Sequence, residues 1–141
     1  MKLYTIGYAG KAAQEFFTIL KKAGVQKVMD VRLYPSTKDS GFAKSKDLAF
    51  FLQVLCRIPY EHRKEFAPTA ALLKGYKDGT VGWSDYEEQY RHICQARKFM
   101  LTPDMDGVCF LCSEPTADKC HRRLLVEYLA KQMSDVNIIH L

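Results

Sequence analysis

A continuously apolar run near the end of the chain constrains the fold more than any other feature. Residues 108–112, Val-Cys-Phe-Leu-Cys, contain no charged side chain, which is typical of a strand covered on both faces. Residues 113–116 break this run, and Asp118 is the expected N-cap of a helix whose apolar face consists of Leu124, Leu125, Tyr128 and Leu129. The order strand, polar loop, helix predicts a unit of an open α/β sheet, in which ligands bind beyond the carboxyl end of the strand.

Strands and helices alternate along the rest of the chain. Further strands are predicted at residues 3–6, 27–32, 59–62 and 136–141. The helices between them have recognisable ends, namely a stop at Gly24, N-caps at Ser45 and Thr69, and a capping box over residues 84–87. This alternation predicts one domain over residues 1–141 with an α/β fold. We expect a three-layer sandwich, in which helices cover both faces of a mostly parallel sheet of four or five strands.

The helix expected after Ser45 carries an unusually wide apolar stripe. The stripe consists of Leu48, Phe51, Leu52 and Leu55, and Phe50 and Val54 broaden it. The pattern therefore predicts that this helix is well buried.

Composition places few limits on function but some on the environment. The net charge of +5 permits an acidic partner, although a solvated basic surface explains it equally well. No signal peptide precedes the first predicted strand, and no apolar run approaches the ~20 residues of a membrane span. Five cysteines without a secretion signal are typical of reduced thiols. These observations predict a cytoplasmic protein that does not associate with membranes.

Three features at the predicted carboxyl edge of the sheet favour an anion. A glycine turn over residues 7–10 precedes a helix, Arg32 ends a strand, and Arg122 lies at a helix start where free N–H groups attract negative charge. The loop over residues 33–44, rich in hydroxyl and lysine side chains, follows the same edge. Two of these features also have a structural alternative, because the turn can be a plain connection and Asp30 can pair with Arg32 while the loop lysines are merely solvated.

The helix start after the apolar strand also offers reactive groups. Cys120 precedes His121 and Arg122 at a helix N-terminus, so we expect its pKa to be lowered and its thiolate to be a possible nucleophile. Glu114 and His121 are the expected acid–base groups. Packing of Cys120 beneath the helix is the alternative.

The cysteine and histidine spacing superficially resembles a zinc site. Cys109 and Cys112 are three residues apart on a strand and therefore point to opposite faces. The adjacent residues Cys120 and His121 diverge by about 100° on a helix. We therefore assign no metal site, and the sequence leaves any cofactor unknown. A hard metal ion remains an open alternative, with the ligands Glu114, His62 and His121.

Several short motifs, in order and at matching spacing, resemble the bacterial domain-of-unknown-function 488 family over essentially the whole chain. The resemblance implies an α/β sandwich and supplies no settled activity. The family often has Ser at the position of Thr37 and Arg at that of Lys38, changes that keep the hydroxyl and the charge. The matching segments are residues 5–8 (Thr-Ile-Gly-Tyr), 30–32 (Asp-Val-Arg) with Pro35, 41–44 (Gly-Phe-Ala-Lys), 67–69 (Ala-Pro-Thr) with Trp83 and Tyr86, 111–112 (Leu-Cys) with Glu114, and 120–122 (Cys-His-Arg).

Together these features predict recognition of an anionic, phosphate-bearing ligand, either a nucleotide or a nucleic-acid segment, in a cleft at the carboxyl ends of the strands. The sequence does not decide between an enzyme and a binding protein, and it leaves the oligomeric state open. A non-catalytic interaction module is the alternative, and a metal-binding protein is less favoured. The expected catalytic residues are Glu114, Cys120 and His121. The expected ligand-binding residues are Gly7, Tyr8, Asp30, Arg32, Thr37, Lys38, Lys44, His62, Cys112 and Arg122.

Overall fold

A computed structural model describes residues 1–141 and places a five-stranded sheet at the centre of the protein. All neighbouring strands are parallel, and their order is β3-β2-β4-β1-β5. The apolar run is therefore the middle strand, which explains why all five of its residues are buried. The strands are β1 (Lys2–Gly7), β2 (Lys27–Asp30), β3 (Tyr60–His62), β4 (Val108–Cys112) and β5 (Asn137–His140).

Helices cover both faces of this sheet, so the predicted three-layer α/β sandwich is confirmed. One apolar core joins the sheet to α1 and α2, and the other joins it to α3, α4 and α5. No helix is both long enough and apolar enough to cross a membrane. The helices are α1 (Ala13–Ala23), α2 (Ser45–Phe51), α3 (Ala70–Lys77), α4 (Trp83–Ala96) and α5 (His121–Ala130). Short 3₁₀ turns lie at Lys38–Ala43, Lys64–Phe66 and Pro103–Met105.

Three of the predicted helix caps are wrong. Lys44 rather than Ser45 precedes α2, Gly82 precedes α4, and Cys120 rather than Asp118 precedes α5. At α5 the backbone of Cys120 is still extended, with φ −141° and ψ 139°, and its side chain is buried in the core. Burial of the residues at the helix start thus overrides the local capping preference of an exposed aspartate. The other two ends are as predicted, at Gly24 and Thr69.

The segment after Ser45 also differs from its prediction. Leu48 and Leu52 are buried, but Phe50, Val54 and Leu55 are 62%, 60% and 49% exposed. The α-helix ends at Phe51 and continues as a wider π-helical segment over Leu52–Cys56, so the spacing of an α-helical stripe no longer applies. Only one side of the segment packs on the sheet, and its other side faces solvent.

The close approach of β1 to the chain that follows β4 requires a glycine at position 7. A Cβ atom there would lie 1.6 Å from the carbonyl oxygen of Glu114. We therefore expect Gly7→Ala to lower the free energy of unfolding by about 3 kcal/mol, because backbone would have to move. Gly82→Ala is the control, since its added Cβ meets nothing within 4 Å, and it should cost no more than about 1 kcal/mol. Equal losses in urea denaturation would contradict this explanation.

Candidate functional site

A cleft of about 420 Å³ opens at the carboxyl edge of the sheet. The ends of three neighbouring strands contribute to it, through Tyr8 after β1, Arg32 after β2 and Cys112 at the end of β4. His121, the first residue of α5, completes the floor, and α3 and α4 supply the opposite wall. This is the edge at which the topology of an open α/β sheet predicts a ligand.

The floor of the cleft contains two thiols and an imidazole. Cys112, Cys120 and His121 are all buried, and their Sγ and ring nitrogen atoms lie within 4.8 Å of one another. Nδ1 of His121 is 3.8 Å from Sγ of Cys112. Nε2 of the same ring is 2.8 Å from the carbonyl oxygen of Val31. Because a carbonyl only accepts, Nε2 carries the proton and donates it, and Nδ1 faces the sulfur atoms.

Cys112, and not Cys120, is the more acidic of the two thiols. A hydrogen bond from the Cys120 thiol, together with the nearby His121, lowers the pKa of Cys112 despite its burial. Burial, followed by the neighbouring Cys112, raises the pKa of Cys120. Burial alone would lower the pKa of His121, but the charge of Cys112 raises it. The prediction of a lowered pKa at Cys120 is therefore wrong, because this thiol is enclosed and donates to its neighbour.

Arg32 is held by a buried ion pair on one wall of the cleft. Its Nε and Nη2 donate to the two carboxylate oxygens of Asp30 at 2.9 Å and 2.7 Å, and Nη2 also donates to the Ala43 carbonyl. The hydroxyl of Tyr60 donates to the same carboxylate at 2.6 Å. The structural ion pair considered as an alternative is therefore present. One donor of the fork is still free, because the buried Nη1 has no hydrogen-bond partner.

The other two anion-favouring features donate hydrogen bonds to the loop after β4. The N–H groups of Tyr8 and Ala9 donate to the carbonyls of Cys112 and Ser113, so they cannot cradle a phosphate as predicted. Arg122 is buried beside Gly7, and its Nη1 donates to the Glu114 carbonyl at 2.8 Å. The loop after β4 thus accepts from donors of both features, and Arg122 does not line the cleft, although its buried Nε has no hydrogen-bond partner. The Glu114 side chain is exposed and does not pair with Arg122.

The remaining predicted residues divide between the cleft and its surroundings. Thr37 and Glu114 line the cleft, whereas Gly7, Asp30, Lys38, Lys44 and His62 do not. His62 instead bonds the carbonyl of Arg32 through Nε2 at 2.8 Å. Sequence reasoning missed the lysines and aromatic residues that the covering elements supply, since nothing in the pattern indicated which helix closes the cleft. These lining residues are Tyr34, Tyr76, Lys77, Tyr86 and Lys119.

The sequence predicted that both pairs of candidate metal ligands, Cys109 with Cys112 and Cys120 with His121, point apart, and the structure agrees for the first pair only. Cys109 and Cys112 point to opposite faces of β4, as predicted, and pack in different cores. Cys120 and His121 were predicted to diverge on a helix, and this is wrong. Because Cys120 precedes the helix with an extended backbone, its sulfur and the His121 ring converge on Cys112.

Removal of one partner from the buried Asp30–Arg32 pair should be strongly destabilising. We expect Asp30→Asn to lower the free energy of unfolding by about 3–5 kcal/mol, since the buried guanidinium loses its counter-charge. Glu61→Gln is the control, because it removes the same charge from a half-exposed pair with Lys27 and should cost about 1 kcal/mol or less. Urea denaturation of both variants measures the difference, and similar losses would refute the role given to burial.

Comparisons with known proteins bear on the family and not on the chemistry. Neither curated proteins nor solved structures give a match. A family match covers residues 12–129, which is most of the chain, and confirms the resemblance inferred from the motifs. The chain belongs to the family described as domain of unknown function DUF488.

Proposed function

We propose that the protein binds an anionic, phosphate-bearing ligand in the cleft. The observation that carries this proposal is the free donor of Arg32. This residue is only 4% exposed and lines the cleft, and its Nη1 has no partner. A buried N–H group without an acceptor is costly, and an oxygen of a bound anion would satisfy it. A charge-assisted contact of this kind would position the ligand as well as hold it.

The other lining residues support the same class of ligand. The negative charge of Asp30 neutralises that of Arg32. The two remaining positive side chains of the lining, Lys77 and Lys119, exceed the single negative one, Glu114, so the cleft has a small net positive charge. Four tyrosines also line it, at positions 8, 34, 76 and 86. Aromatic side chains beside cationic groups suit a base joined to a phosphate. A nucleotide, or one nucleotide of a nucleic-acid strand, therefore fits the cleft better than a bare inorganic ion.

The floor of the cleft favours an enzyme over a passive binding protein. Two sulfur atoms and an imidazole nitrogen lie beneath the space where the ligand would sit. Glu114 is exposed at the rim and remains the candidate for proton transfer to or from the ligand. A site that only bound an anion would not require these groups.

We also propose a cytoplasmic location. All five cysteines are unpaired, including two whose sulfur atoms lie close together. Free thiols in this number are typical of a reducing compartment.

An interaction module is the second candidate function. It is favoured by the exposed apolar side chains of Phe50, Val54 and Leu55 on the segment that follows α2. Such a cluster on a basic chain is compatible with a protein partner. It lies away from the lining of the cleft, so the two functions are separable by mutation.

Arg32→Lys tests the proposed ligand contact. Lysine keeps the charge opposite Asp30 but lacks the free Nη1, so we expect binding to weaken by about 1.5–3 kcal/mol. The measurement is calorimetric titration with nucleoside mono-, di- and triphosphates and with short single-stranded oligonucleotides. Thermal unfolding of the variant verifies that it is folded. Unchanged affinity in a folded variant would sink the proposal.

A matched pair of double variants separates specific binding from general attraction. Lys77→Ala/Lys119→Ala removes two charges from the cleft, and Lys38→Ala/Lys46→Ala removes two exposed charges outside it. We expect the first double variant to weaken binding and to flatten its salt dependence, while the second changes little. If both lose affinity equally, the cleft is not the binding site, and the interaction module becomes the better candidate.

A further inference from the structure

The cluster on the cleft floor has a donor set that the anion proposal does not use. Cys112, Cys120 and His121 direct two sulfur atoms and one nitrogen toward a common point. We infer that these three side chains form a zinc site whose fourth position opens into the cleft. This inference departs from the sequence-based expectation of a metal-free chain, which assumed that Cys120 and His121 diverge.

The distances within the cluster are close to those of a tetrahedral zinc site. With Zn–S near 2.3 Å and Zn–N near 2.0–2.1 Å, tetrahedral ligands lie about 3.8 Å apart for two sulfurs and about 3.6 Å apart for sulfur and nitrogen. Sγ of Cys112 and Nδ1 of His121 are already 3.8 Å apart. No pair in the cluster exceeds 4.8 Å, so closure around an ion needs a movement of about 1 Å at most.

The imidazole has the orientation that a metal ligand requires. Its Nε2–H donates to the Val31 carbonyl at 2.8 Å, which fixes the tautomer and leaves Nδ1 toward the sulfurs. A second bond from the distal ring nitrogen to a backbone carbonyl is the usual support of a ligating histidine. Tyr90 packs against the edge of the ring, with 5.3 Å between the ring centroids, and further restricts its rotation.

The chemistry of the donors selects the ion. Two thiolates and an imidazole are soft and borderline ligands, which suit Zn²⁺ and do not suit Mg²⁺ or Ca²⁺. The hard-metal alternative has no such support, because His62 bonds the Arg32 carbonyl outside the cleft and the Glu114 side chain is exposed. Cys109 cannot be a fourth ligand, since it lies on the other face of β4.

Three protein ligands leave one position of the ion for a small molecule. Structural zinc sites are closed by four side chains, whereas reactive ones hold water or a ligand in the fourth position. Here all three ligands line the cleft, which also contains the free donor of Arg32. The proposal that an anion fills the fourth position rests on the proposed function. The assignment of the three protein ligands is independent of that function.

The test is metal analysis of protein purified without chelators from zinc-supplemented cells. We expect about one zinc ion per chain in the wild type. Cys120→Ser should lose it, and this variant is expected to fold because serine is a favourable N-cap for α5. Cys109→Ala is the matched control, because it removes a buried cysteine on the face of β4 opposite Cys112 and should retain the zinc.

Cobalt absorption spectra and melting temperatures test the same zinc site independently of metal analysis. Cobalt loaded in place of zinc should show thiolate charge-transfer absorption in the wild type and in Cys109→Ala, and much less in Cys120→Ser. Added zinc should raise the melting temperature of the first two proteins only. Wild-type protein that holds no zinc and shows no charge-transfer band would overturn the inference. Arg32→Lys should retain its zinc, so failure of the anion proposal and failure of the metal site give different results.

Discussion

The contact between the turn after β1 and the loop after β4 is the constraint on which the site depends. The loop carbonyls of Cys112 and Ser113 accept from the amides of Tyr8 and Ala9, and Arg122 donates to the carbonyl of Glu114. These bonds satisfy backbone groups that would otherwise be buried without partners at the end of the middle strands. They also occupy three donors of the predicted phosphate site, the amides of Tyr8 and Ala9 and Nη1 of Arg122. The loop is thereby drawn onto β1, and the chain reaches α5 with Cys120 still extended.

A second constraint is the carboxylate at the end of β2. Asp30 accepts from Arg32 and from the Tyr60 hydroxyl, and Arg32 in turn binds the Ala43 carbonyl. One buried carboxylate therefore joins β2, β3 and the loop that leads to α2. A buried, paired carboxylate of this kind fixes the relative positions of the segments that it joins more than it adds to the net stability of the fold. Its effect at the cleft is to hold a guanidinium rigidly while leaving Nη1 free.

The features that were predictable from sequence are those set by local periodicity. The strand alternation, the burial of β4, the cap at Thr69 and the location of Asp30 and Arg32 at the carboxyl edge all follow from patterns within a few residues. The start of α5 was not predictable, because an exposed Asp118 with good capping chemistry competes with the burial of Cys120, and burial is a tertiary effect.

The same limitation explains the errors at the site itself. Gly7 is a glycine because a carbonyl from a distant loop lies against it, and sequence spacing cannot distinguish this from a phosphate-binding turn. Arg122 faces away from the cleft for a related reason, since its partner belongs to that loop. The exposure of Leu55 accompanies a switch to π-helical spacing over Leu52–Cys56 that no local signal announces. The error at Gly7 concerns a contact between segments far apart in the chain, whereas the parallel α/β architecture required only alternation.

The presence of Cys120 bears on whether the cleft floor acts as a nucleophile or as a metal site. A nucleophilic cysteine needs one sulfur, one base and a group that orients the base, and Cys112, His121 and the Val31 carbonyl are sufficient for this. In such a mechanism the second thiol serves only as a hydrogen-bond donor to Cys112. Cysteine is also not a preferred N-cap, so the start of α5 does not explain it either. A metal ion uses all three side chains at once, and it accounts for an extended residue that brings its sulfur to within 4.8 Å of both neighbours.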